Sequence, residues 1–341
     1  CPSTKGWFLG LFWVVFNMGA VFGGILTAAA NWSSEASSAS LATYAGFLLV
    51  MLAGSLLSLL LANPATVVRP DGSPVQASED PLATIGGAGG LQKYTGELRA
   101  MGATAAEPLV ALLLPLALYS NWFYTYQFSC FNHEVFSIRT QGFNNSLYWM
   151  AQMAGAWALG RFLDARAHSC SPQVRARRSL AVIANLVLGT WMAAALAVPP
   201  GAATSKLDVA SGGVAYLEAV AVYLLWGVGD SLVMVWLLWV LGQNTDDLQM
   251  LARYSGLVKA VQSCGSAVSW KLNTAEVGFP LGGQFWLNVV LAGVGMLSAW
   301  RSLGHIRGAP ACEARQAELV AGSEALEGPT EGGQSERDRL L

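Results

Sequence analysis

Apolar residues in this chain come in long blocks rather than in alternation. Eight such blocks predict helices: Trp7–Ala29, Tyr44–Leu61, Glu107–Phe128, Asn144–Leu163, Ser179–Val198, Gly213–Leu241, Tyr254–Trp270 and Gln284–Trp300. The sixth is the most demanding. Between Gly213 and Gly242 only Glu218 and Asp230 carry charge, and a helix of that length spans roughly 43 Å against ~30 Å of hydrocarbon in a bilayer. No soluble core needs such a stretch, so it reads as a tilted transmembrane helix. The third block contains Pro115, where a kink is expected.

Composition strengthens this picture. Hydrophobic residues make up 54% and charged ones 12%, about half the ~25% usual in soluble domains. The expectation is an all-α polytopic membrane protein with the lipid bilayer as its first partner. The net charge of -2 and the lack of a basic, aromatic-interleaved cluster give no nucleic-acid site. Cys1, Cys130, Cys170, Cys264 and Cys312 are scattered without CxxC spacing, so neither a disulfide framework nor a zinc site is expected. The opening Cys-Pro-Ser-Thr, without Met, fits a fragment or an incomplete gene model.

Domain organisation follows from the polar intervals. Residues 1–62 hold two helices, 63–106 form a Pro/Gly-rich connector, 107–302 hold six helices, and 303–341 form a charged tail expected to be disordered. With the first residues cytoplasmic, the external loops hold only Arg139, Lys206 and Lys271, and most of the 19 lysines and arginines fall on the other side. The positive-inside rule therefore places both ends in the cytoplasm. The sequons at Asn31 and Asn144 then lie outside, close to the bilayer, as weak glycosylation candidates. The final Leu340-Leu341, after acidic residues, looks like a sorting signal for endosomal or vacuolar membranes, though short patterns of this kind often arise by chance.

Candidate chemistry sits on few residues. A carboxylate at bilayer depth costs several kcal/mol unless it meets protein, water or a counter-charge, which makes Asp230 the first candidate. It shares a face with Tyr223, Trp226 and Gly227 at helical spacing. The functional reading is a proton or cation site, the plainer one a carboxylate satisfied by a neighbouring helix. In the seventh block Ser255, Lys259, Gln262, Ser263 and Ser266 form a polar stripe continued by Trp270, and lipid cannot satisfy it. Interhelical hydrogen bonding or a snorkelling Lys259 are the plainer readings. Depth along antiparallel neighbours suggests an Asp230–Lys259 ion pair. Asn145, Tyr148 and Gln152 share a face of the fourth block, and Tyr119, Trp122, Phe123 and Tyr126 one of the third; such aromatic stripes serve packing more often than cargo. Gly19–Gly23 is a GxxxG, expected to pack helices closely. Solitary histidines and the absence of a phosphate-binding glycine loop or a nucleophile with its base argue against an enzyme or a cofactor.

Several stretches carry a resemblance. Gly160-Arg161-Phe162-Leu163-Asp164 followed by Arg175, Arg177 and Arg178 resembles the cytoplasmic loop motif of the major facilitator superfamily. Phe16-Asn17-Met18-Gly19, Val67-Val68-Arg69-Pro70-Asp71-Gly72, Ser120–Gln127, Asn144–Trp149 and Tyr254–Lys259 with Gln262-Ser263 are similar to the fungal-type branch of the Unc-ninety-three-like (ion channel regulatory protein) family. The resemblance implies a major-facilitator-type helical bundle in which this chain supplies about 8 of 12 transmembrane helices, the fifth to the twelfth. It implies transport of an unknown small solute or ion, or alternatively a non-transporting regulatory or trafficking role toward another membrane protein. It also implies a gate latch at Gly160 and Asp164, with Arg253 as partner. The superfamily's glycine-proline antiporter motif is only half present, so antiport gains no support.

Overall fold

A computed structural model describes residues 5–32, 41–61, 66, 68, 90–165, 170–201, 205–245 and 247–306. The described residues form nine helices: α1 (Lys5–Ala30), α2 (Leu41–Ser58), α3 (Gly90–Ala106), α4 (Pro108–Val135), α5 (Ile138–Ala165), α6 (Pro172–Ala197), α7 (Val214–Gln243), α8 (Leu248–Leu272) and α9 (Leu281–Ser302). Five of them, α1, α4, α6, α7 and α9, are long and apolar enough to cross a membrane. Helix α2 is apolar but shorter. Helices α5 and α8 have the length, at 28 and 25 residues, but carry the polar side chains that the bundle encloses. Length and apolarity together thus support five of the eight expected spans.

Helix α7 is the hub. It packs against α5, α6, α1 and α4, while α8 and α9 flank α4 and α2 touches α1. Its start follows from Gly213, whose φ of 96° is a conformation that residues with a Cβ rarely adopt. Helix α6 begins earlier than the apolar run because Ser171 caps it, accepting from Val174 N, and Pro172 occupies the first turn. Asp247 caps α8 in the same way through Gln249 N.

Missing Cβ atoms set how closely helices approach. A Cβ on Gly10 would lie 3.0 Å from the Ala156 carbonyl oxygen, and one on Gly142 2.6 Å from Ala28 N. Helices α1 and α5 are therefore held together along Gly6, Gly10, Asn17, Gly24 and Ala28. The expected GxxxG contact is corrected here: Gly19 meets nothing within 4 Å, and Gly23 meets only the Phe47 ring. The motif finds small residues but does not say which face is buried.

Helix α4 holds a feature that the apolar pattern did not announce. Pro115 lies inside its α-helical part, and further on Thr125–Asn132 form a π-helical segment. Such segments re-aim the side chains around them and occur often at functional sites. The last part of the expected connector is helix α3, which packs against α4 and α8 and is tied down by Arg253, bonded through two nitrogens to Glu97 at 2.6 and 2.8 Å. That pairing holds the Glu97 carboxyl below its ordinary pKa. The expected disordered tail lies, from residue 307 on, outside the described residues, as do Leu340 and Leu341.

Candidate functional site

Asp230 sits near the middle of α7 with 2% of its surface exposed. Three neutral donors converge on its Oδ2. Tyr124 on α4 donates at 2.6 Å, Tyr148 on α5 donates at 3.3 Å, and Gln152 Nε2 gives a short bond. Gln152 accepts in turn from Asn17 Nδ2 on α1, so four helices meet at one carboxylate oxygen. Tyr148 also donates to Gln127 Oε1 at 2.8 Å. The other carboxylate oxygen, Oδ1, is buried and has no hydrogen-bond partner among the described residues. Beside Asp230 lies a void of about 10 Å³ lined by Tyr119, Gln127, Trp226 and apolar side chains, at the lower limit for one water.

Local chemistry explains the convergence. Gly227, one turn before Asp230, lets α5 approach: a Cβ there would lie 2.6 Å from the Tyr148 carbonyl oxygen. Around the polar centre Phe128, Tyr148, Trp149 and Tyr223 form one aromatic cluster, and Trp191, Trp226, Tyr126 and Phe285 another. In such water-poor surroundings each polar group must find its partner within the protein.

The residues singled out from the sequence separate into groups. Asp230, Tyr148 and Gln152 come together. Gln262 is fully buried but elsewhere, donating to Ser120 Oγ at 2.6 Å. Trp122 takes part only in packing and in accepting Ser269 Oγ at its carbonyl, and Tyr126 packs against Trp191 and Phe285. Ser255, Lys259 and Ser263 are exposed and Ser266 is partly so. The buried line of α8 is instead Tyr254, Val258, Gln262, Gly265 and Ser269.

Three expectations are corrected. Asp230 and Lys259 form no ion pair within 4 Å: Oδ2 is taken by the three neutral donors, while the Lys259 ammonium lies 5.7 Å from the Trp13 ring centroid. Only longer-range Coulombic attraction joins them. Asp164 does not latch to Arg253. It accepts from the backbone N–H groups of Gly6 (3.0 Å) and Trp7 (2.6 Å), capping the start of α1, and Gly160 beside it lets that start approach. Arg253 is engaged by Glu97 instead. The Asn31 and Asn144 amides are buried, at 0% exposure, among Thr27, Thr43 and Tyr216; a glycan has no access to either in this fold.

Asn17, Tyr124 and Gln127 belong to the centre and were missed as site residues. Tyr124 precedes the π segment and Gln127 lies within it, and its wider turn defeats a 100° wheel. Asn17 carried a signal, a lone amide in an apolar helix.

At the other end of the bundle Arg139 grips Asp208 through two nitrogens at 2.8 and 2.9 Å. Ser137 and Ala210 N also donate to that carboxylate, and Arg139 reaches the Trp32 carbonyl at the end of α1. These bonds, the arginine foremost, lower the Asp208 pKa to about 2. No group of three or more His, Cys, Asp or Glu among the described residues could hold a metal ion.

Apolar helices of this length, packed around an enclosed polar centre, define a multi-pass integral membrane protein. Comparison with known proteins carries this further. The chain is 35% identical over 295 residues to UNC93-like protein 1 of Arabidopsis thaliana, covering 84% of this chain and 60% of that protein, and equally so to UNC93-like protein 2. It is 30% identical over 288 residues to an UNC93-like protein of Schizosaccharomyces pombe, covering 81% of this chain and 53% of that one. It belongs to the UNC93-like family, of major-facilitator type. The chain spans about 60% of the length of the Arabidopsis relatives. No protein-family model and no solved structure matches it.

Proposed function

We propose that this protein is a secondary transporter of a small solute, with Asp230 as the group that couples a proton or cation to the solute. The single observation that carries this reading is the state of that carboxylate. It is 2% exposed in an apolar helix, has its donors on one oxygen, leaves the other without a partner among the described residues, and lines a small void. Intramembrane carboxylates are costly, and proton relays and ion pathways are where they persist. Further support comes from Asn17, which links α1 to the same centre through Gln152. On this reading the chain supplies about eight helices of a twelve-helix bundle. The end carrying Lys5, Asp164 and Arg253 faces the cytoplasm, and the capping of α1 by Asp164 works as the gate contact.

The test is solute-dependent proton movement. Proteoliposomes with a trapped pH dye should acidify when a transported solute is added outside, and Asp230→Asn should abolish the signal while keeping native helical content. Unchanged movement in Asp230→Asn sinks the coupling role.

One observation favours a second reading, that of a non-transporting regulatory or trafficking partner of another membrane protein: a void of about 10 Å³ leaves no room for a solute at Asp230. Silence toward every solute, with a folded protein, would favour that role.

A further inference from the structure

Resting on the transport reading, we propose that Lys259 binds the solute and that the solute is a small anion bearing carboxylate or phosphate oxygens. Lys259 lies in the middle of α8, exposed, between Ser255 and Ser263 one turn to either side, and all three residues are open. Its ammonium has three hydrogens to donate, yet no hydrogen bond or ion pair to it is found among the described residues. It lies 5.7 Å from the centroid of the Trp13 ring. An ammonium at membrane depth needs a counter-charge.

Asp230 is the acid whose charge acts on it, yet the two form no ion pair within 4 Å. Tyr124, Tyr148 and Gln152 hold Oδ2, and the Lys259 ammonium lies toward the Trp13 ring instead. Attraction between the two therefore acts through space, and only while Asp230 is ionised. A proton on Oδ1 removes the counter-charge, and a solute anion can then take its place at Lys259. Loss of that proton restores the internal counter-charge and weakens the anion's hold. One proton and one negative charge enter together, so the loaded centre has the same net charge as the empty one. The other ionisable groups facing Asp230 are Tyr119 and Tyr124 from α4 and Tyr148 from α5, with Tyr223 of its own helix packed against Tyr148. Helix α1 brings Asn17 to the centre through Gln152, and α6 brings the apolar Val187. Among the described residues no second carboxylate is bonded to this centre.

The test is anion-dependent thermal stabilisation of the full chain purified in detergent, using benzoate, succinate and inorganic phosphate, with neutral benzamide as control. At least one anion should raise the unfolding midpoint by several degrees in mildly acidic buffer, and less in alkaline buffer. Lys259→Arg should keep the effect and Lys259→Gln should lose it. Asp230→Asn, permanently neutral, should show it at both pH values. A shift that survives in Lys259→Gln, an equal shift with benzamide, or no shift with any of the three anions overturns the proposal. Proton movement driven only by a cation or neutral solute also overturns it, while leaving the transport reading intact. Lysine-dependent anion binding without proton movement supports the site and sinks the transport reading instead.

Discussion

Two aspartates in this chain live under opposite rules. Asp208 lies in the loop between α6 and α7 and is neutralised by Arg139. Asp230 lies inside the bundle and touches no charge, only phenols and an amide. The first arrangement fixes a structure, because a bidentate arginine pair is geometrically specific. The second leaves a group whose charge is stabilised by hydrogen-bond dipoles and by a lysine beyond ion-pair distance, the state that the proposed coupling role requires.

The sharpest way to break this contrast is to push apart the helices that create it. Gly227→Leu places a side chain where the Tyr148 backbone now sits. It should cost about 1–3 kcal/mol or more, read as a large fall in the detergent unfolding midpoint. Next comes the carboxylate itself. Asp230→Leu takes the acceptor from Tyr124 and Gln152, while Tyr148 keeps Gln127, and should cost about 1–3 kcal/mol, whereas Asp230→Asn keeps an acceptor and should unfold near the native midpoint. Equal losses in the two variants would mean that charge, not hydrogen bonding, holds the centre.

Asp208 should behave in the reverse sense with pH. Its folded pKa, about 2, lies below its ordinary value of 3.8, so its contribution is present above pH 3.8 and is lost as pH falls toward 2. Stability measured across that window should drop in the native protein and drop less in Asp208→Asn. The smallest effect is expected from Asn17→Ala, which removes one interhelical bond worth about 0.6 kcal/mol on average and should show as a midpoint lowered by a degree or two.

The sequence made some of this readable and hid the rest for physical reasons. Apolar block lengths located α1, α4, α6, α7 and α9, because the cost of exposing backbone to lipid forces long helices. Asp230 stood out for the same reason, and Tyr148 and Gln152 fell on one helical face. Hidden were the facts that depend on rotation about a helix axis. The α8 stripe of Ser255, Lys259 and Ser263 was legible as a stripe, yet it turned out to be the open face. Glycines showed where close approach is possible, but only packing chose Gly24 and Gly142 over Gly19. Arg253 lies near the start of α8, and its partner, Glu97, lies in a segment with no apolar pattern to mark it as a helix.

Tyr148 has a single hydroxyl hydrogen and two oxygens within reach, Gln127 Oε1 and Asp230 Oδ2. At any instant one of them goes without it. Asp230 Oδ2 then still holds Tyr124 and Gln152, so the phenol can swing to Gln127 without leaving the carboxylate bare, and its lean reports how strongly that carboxylate pulls.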